Sequence, residues 1–340
     1  MGDKRYKNHL VILQHGFHAT SQDFNIFINY FSKQSQLDNC LFIAAKNNDY
    51  FLATHEGIDK IGERLFKEVK EIYKENQQCE YISFIGHSLG GLIVRYAIGL
   101  LYIDGFFENC CKPINFISLT SPHVGSRRPT TTLYNKLLLF GANNFLSITG
   151  KQLILTDSHI LIINDENVEE KEEKEKEEEN TLPLLVYLSE GIFLKGLKSF
   201  KNCSLYSNIY NDLQVSFCTS DINVINPYRL TFNNIKFSKK YRHIIENNSE
   251  DNYNNSNNNN NINNEIIENH FKHDTHHELL KRIIINLNQI KFKRYHMYFN
   301  SILSHTNVIV RREWLNSEGY DILIHILDHF ENSKSLSSYN

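Results

Sequence analysis

The chain has 340 residues, 41% of them hydrophobic and 22% charged, a balance that buries a full core and excludes a disordered or fibrous protein. Its net charge of −3 conceals one run, residues 169–179, in which eight Glu and three Lys contribute −5 and leave +2 for the rest; neither balance makes a nucleic-acid surface. Six cysteines without C-x-x-C spacing, an N-terminus (MGDKRYKNHL) lacking an apolar centre, and the want of any long apolar run predict free thiols in a reducing, cytoplasmic setting, with no signal peptide and no transmembrane segment. Tyr6 stands where a myristoylation pattern needs Ser or Thr, so no lipid is expected on Gly2.

Residues 10–14 (LVILQ) read as a first buried strand, closed by His15-Gly16-Phe17-His18. Gly16 would let the chain turn so that the Phe17 N–H serves as half of an oxyanion hole, while His15 braces the loop. A short helix follows at residues 23–31 and a second strand at 41–45 (LFIAA). Ile58, Ile61, Leu65, Val69 and Ile72 then repeat at helical spacing and predict one long amphipathic helix.

Residues 81–85 form the next apolar strand, and Leu92, Ile93, Tyr96, Ala97 and Leu100 mark a helix after it. Between them lies Gly86-His87-Ser88-Leu89-Gly90, a G-x-S-x-G nucleophile elbow. Glycines two before and two after the serine let strand and helix pass closely, which lifts the Ser88 hydroxyl clear of the packing. The Leu89 N–H, at the helix N-terminus, supplies the second oxyanion donor. Strand, helix, strand, helix in this order predicts an α/β fold, the α/β-hydrolase fold, on a mostly parallel, doubly wound sheet.

Residues 114–120 (INFISLT) continue the sheet into Ser121-Pro122-His123, a tip that would place His123 beside the pocket. Residues 126–200 are expected to form a helical cap, interrupted by an acidic insert at 165–180; helices packed on the core would read the same way. Within it, residues 181–200 predict one helix. Residues 205–210 (LYSNIY) are a late strand ending at Asn211-Asp212. Residues 242–278 read as an Asn- and His-rich disordered insert in a single domain, 1–340, and its His270, His273, His276 and His277 as a solvated fringe rather than a metal site. Residues 308–310 look strand-like and 320–330 close the chain as a helix.

A serine nucleophile needs a base, and the base needs an acid to fix its tautomer, in the chain order Ser, then Asp or Glu, then His. Asp212, at the tip of the late strand, is the best-placed acid; Asp157, Asp165 and Asp221 are less so. His305, ahead of the last valine-rich segment, is the best-placed base, whereas His296, His325 and His329 read as surface or helix-face residues.

The segments VILQHGFHATSQDF, FIGHSLGGLIVRYAIG, FISLTSPHVGSRRP, TGKQLILTD, LYSNIYNDLQVSFCTS and SHTNVIVRR, taken together, resemble the putative serine esterase family, a lipase-like branch of the α/β hydrolases. The resemblance implies Ser88, Asp212 and His305 as the triad, no cofactor and no metal. It also implies ester hydrolysis with lipids such as acylglycerols or phospholipids as substrates; the apolar cap leaves peripheral contact with a membrane or lipid-droplet surface open as one alternative. An inactive lipid- or protein-binding member of the same fold, or a protein acyl-thioesterase, is the alternative reading.

Overall fold

In the computed structural model, residues 7–50, 52–126, 147–158, 181–229, 235–246 and 276–332 are described. Six strands, β1 (His9–Gln14), β2 (Cys40–Ala44), β3 (Tyr81–His87), β4 (Lys112–Leu119), β5 (Asn202–Asn208) and β6 (Lys293–Met297), form one sheet in the order β2-β1-β3-β4-β5-β6, every neighbouring pair parallel. Parallel strands need a crossover on a sheet face, so both faces are covered and the strands read as continuous apolar runs.

Alternation along β1 shows the division. Leu10 and Ile12 face one core with Ile82, Phe84 and Phe116, whereas Val11 and Leu13 face the other with Ile85, Ile117 and Leu119. On the first face pack α2 (Ile58–Glu75), α3 (Gly90–Ile103), α4 (Gly191–Lys198) and α5 (His277–Leu287); on the second pack α1 (Asn25–Ser32) and α7 (Tyr320–His329). The sheet is thus doubly wound, with the α/β-hydrolase fold. After β1 the chain moves outward to β2 and then returns to the far side of β1 as β3. That reversal opens a crevice at the carboxyl ends of β1 and β3, which run in register with Gln14 beside Gly86.

Several expectations need correction. Residues 181–200 form two helices, Leu184–Tyr187 and α4, because Ser189 and Glu190 bond back to Val186 and Tyr187 and Gly191 takes a φ of 54°. Residues 308–310 are a turn after the short helix α6 (Ser304–Asn307): the Val310 N–H bonds to Asn307 O and Val310 has a φ of 50°. The strand that closes the sheet is β6, KRYHM, whose charged and polar ends disguise it. Arg242–Glu246, assigned above to the disordered insert, is folded: Ile244 and Ile245 are buried and Ile244 bridges to Met297. Of the histidines expected on the surface or a helix face, His325 lies on α7 but is buried against Tyr206, and His296 lies in β6, buried against Asp221.

Most of the expected cap lies outside the described residues, as do the acidic insert, His270 and His273. The described parts of residues 126–200 belong to the core: Thr149 and Gln152 bond to the chain around the start of α2, and Leu184, Leu185, Val186, Phe193 and Leu197 are buried in the α2–α3 core. His277, at the start of α5, lies beside Glu278. All six cysteines are free. No described helix is long and apolar enough to cross a membrane.

Candidate active site

Ser88 sits where β3 turns into α3, with a φ of 55° that side chains rarely adopt. The turn is forced by close packing. A Cβ on residue 86 would come within 2.6 Å of Gly91 Cα, and one on residue 90 would collide with the Gln14 carbonyl of β1. The Ser88 N–H bonds to Leu119 O of β4 at 2.9 Å, so the strained residue is held by the neighbouring strand.

The loop after β1 presses on the same point. A Cβ on residue 16 would lie 2.6 Å from Ser88 Cβ and 3.1 Å from Ser88 Oγ, so only glycine brings this loop against the hydroxyl. The N–H groups of Phe17 and Leu89 make no hydrogen bond among the described residues. His15 is tied elsewhere: Nδ1 donates to Gly16 O at 3.0 Å and Nε2 lies 3.0 Å from Asp49 Oδ1.

Asp212 follows β5 and His305 lies in α6, just after β6, so adjacent strands deliver the two. The Asp212 carboxylate accepts from the N–H groups of Gln214 (3.0 Å) and Val215 (2.9 Å), Asn208 Nδ2 (3.0 Å) and His305 Nδ1 (2.9 Å). Burial works against its charge, yet the His305 imidazole and these donors hold the carboxyl below the ordinary range. A charged carboxylate can only accept, so His305 carries a proton on Nδ1, which in the neutral imidazole leaves the lone pair on Nε2. That Nε2 is buried and has no partner.

His305 Nε2 and Ser88 Oγ belong to residues that line one narrow cavity of about 30 Å³, with Gly16, Phe17, His87 and Gln214 among its walls. The space holds a water but no acyl chain. No Ser88–His305 hydrogen bond is formed here, in keeping with catalytic contacts that tighten only around a substrate. His87 stacks obliquely on His305, ring centres 4.8 Å apart, and its Nε2–H donates to His305 O at 2.8 Å. Burial first, and the neighbouring His305 second, push the His87 imidazole down to about 3, so it stays neutral and serves to hold the His305 backbone.

His123 is not among the residues lining the cavity, contrary to expectation. It is buried beneath, with Nε2 2.7 Å from Ser118 Oγ and its carbonyl 3.4 Å from the buried Arg95 guanidinium, whose other terminal nitrogen donates to Leu188 O at 2.6 Å. Asp157, another sequence candidate, accepts from the Leu184 N–H instead. Five cavity residues escaped the sequence reading: Ala19, Asp23, Thr306, Gln214 and Arg311. For the last two, the only signal is position, two after the expected acid and six after the expected base.

Parts of the chain are similar to known proteins. Over 220 residues the chain is 30% identical to "Putative lipase ROG1" of Saccharomyces cerevisiae, covering 64% of this chain and 29% of that one. It is 26% identical to "Putative lipase C4A8.10" of Schizosaccharomyces pombe over 226 residues, 64% of this chain and 26% of that one. The chain therefore spans less than a third of the length of either relative. Among solved structures it is similar to the phospholipase PlaB of Legionella pneumophila (22% identity, TM-score 0.28, 35% and 26% of the two chains). It is also similar to the metagenome-derived lipolytic enzymes LipS and LipT (11% identity, TM-score 0.34, 63% and 76%). The family model "Putative serine esterase (DUF676)" matches residues 4–222, well over half of the sequence, and the chain belongs to that family.

Proposed function

We propose that the chain is a serine hydrolase that cleaves carboxylic esters of lipids, acylglycerols or phospholipids, through an acyl-enzyme. One observation supports the reading: a histidine whose Nδ1 proton is held by a buried aspartate, and whose Nε2 has no partner, lines the same cavity as the strained serine. His305 Nε2 takes the proton of Ser88 as Oγ attacks the ester carbonyl, and the negative charge moves to the carbonyl oxygen beside the Phe17 and Leu89 N–H groups. Collapse breaks the bond to the alcohol, which leaves with the proton from His305. Water, deprotonated by the same nitrogen, then attacks the acyl-Ser88; the acyl–Oγ bond breaks, His305 returns the proton to Ser88 Oγ, and the acid is released. Asp212 stays ionised and steadies the imidazolium.

The lipase names of the yeast relatives favour lipid esters as substrates. Labelling with a fluorophosphonate tests the reading, since only an activated serine reacts. The purified chain should be labelled and should hydrolyse p-nitrophenyl butyrate, with both signals lost in Ser88→Ala. Labelling that persists in the variant, or an inert parent chain, would refute it.

A further inference from the structure

Arg311 lines the cavity together with Ser88, His305, Thr306 and Gln214. Three features fix it there. Its backbone N–H bonds to Thr306 O at 3.3 Å, and the residue before it, β-branched Val310, is held at a φ of 50°. Its Nε lies 3.0 Å from Asp23 Oδ2, which joins the His305 loop to the segment after Phe17. An ion pair, without a hydrogen bond, thereby holds one edge of the guanidinium. Its terminal nitrogens, Nη1 and Nη2, donate no hydrogen bond among the described residues.

The other charges around the cavity are engaged. His87 is neutral, and the Asp212 carboxylate lies behind His305 with four donors of its own. Asp23 offsets part of the Arg311 charge but leaves its planar donor fork, which matches the oxygens of a phosphate or carboxylate. Which half of an ester meets this fork follows from the chemistry. His305 Nε2 must reach the alcohol oxygen to protonate it, so side chains carried by the His305 loop flank the alcohol rather than the acyl group.

We propose that Arg311 is a specificity residue that selects esters whose alcohol carries an oxyanion near the ester oxygen, as a glycerol phosphate does. This rests on the ester-hydrolase reading and adds a substrate class to it. The rival is a plain brace, in which the Asp23–Arg311 pair only staples two loops together.

The test compares kcat/KM for three water-soluble butanoyl esters, of glycerol, of glycerol 3-phosphate and of glycerate, in the parent chain, Arg311→Gln and Arg311→Lys. The parent should favour the anionic esters over the neutral one, and Arg311→Gln should lower that ratio about tenfold, the scale of a charge-assisted hydrogen bond at a part-exposed site. Arg311→Lys should restore part of it, and added salt should shrink it. Phosphate against glycerate identifies the preferred oxyanion. Equal losses on all three esters would leave Arg311 a brace and overturn the proposal. Binding of the same esters to Ser88→Ala, read by calorimetry, separates the two readings: equal affinity for charged and neutral esters overturns the selectivity whether or not the parent chain turns them over, whereas a chain that prefers the anions yet hydrolyses nothing overturns only the hydrolase.

Discussion

Two buried aspartate–histidine pairs hang from neighbouring strands, and they differ at one nitrogen. In Asp212–His305 the carboxylate binds Nδ1 at 2.9 Å and Nε2 is left without a partner, on a residue that lines the same cavity as Ser88. In Asp221–His296 the carboxylate binds Nε2 at 3.0 Å, and Nδ1 lies 2.5 Å from the Tyr228 hydroxyl. The tyrosine O–H donates there, since burial and then the Asp221 charge push its pKa upward and keep it protonated. The same two side chains thus make a proton acceptor in one place and a sealed strut in the other. A buried Asp–His pair is no sign of catalysis by itself; the far nitrogen decides.

The largest effect should come from breaking the open pair. Asp212→Asn keeps the shape but lets His305 hold the wrong tautomer, so kcat for p-nitrophenyl butyrate should fall by about 10³ to 10⁴ while the circular dichroism spectrum stays. Asp221→Asn should instead cost about 1–3 kcal/mol of stability in urea titrations and reduce turnover only as far as the folded fraction falls. Matching kinetic losses in the two variants would erase the distinction drawn here.

Acid should sharpen it further. Burial pushes His9, His87 and His325 from 6.5 down to about 3, and His123 well below 6.5. Unfolded imidazoles bind protons below 6.5 while these stay neutral, so stability is intact above that value and is lost as pH falls toward 3. The loss is on the order of 1 kcal/mol per imidazole over the first pH unit. The Asp212 contribution has the same sign at lower pH, present above its ordinary 3.8 and lost as pH drops through its lowered value. Urea midpoints should decline from pH 7.5 to 5.5; a flat profile would mean that these histidines protonate in place.

The smallest effect tests the seal. Tyr228→Phe removes the donor from His296 Nδ1 and should cost about 1 kcal/mol. It should not create a second fluorophosphonate-reactive serine, because the cavity with Ser88 lies on the other pair.

The strand–turn–helix around Ser88 was legible in the sequence because it is local: its parts are contiguous, apolar, and punctuated by glycines whose side-chain-free backbone the packing demands. The pairing of Asp212 with His305 was expected only from chain order and family resemblance, since Asp212 and Asp221 look alike in sequence and differ through contacts about 75 to 93 positions away. β6 was missed because KRYHM carries too few apolar residues to announce a strand, and the Val308–Val310 run misled because its valines pack a turn, not a ladder. The cap could not be separated from core helices by periodicity, and its described remainder is core.

The order of the sheet has a temporal consequence. Ser88 and the loop after β1 stand on strands made early, whereas Asp212 and His305 arrive with the last two strands at one edge. Under the mechanism proposed above, the Ser88 hydroxyl is formed during synthesis long before His305 can activate it, and a nascent chain still lacking β6 should not react with a fluorophosphonate.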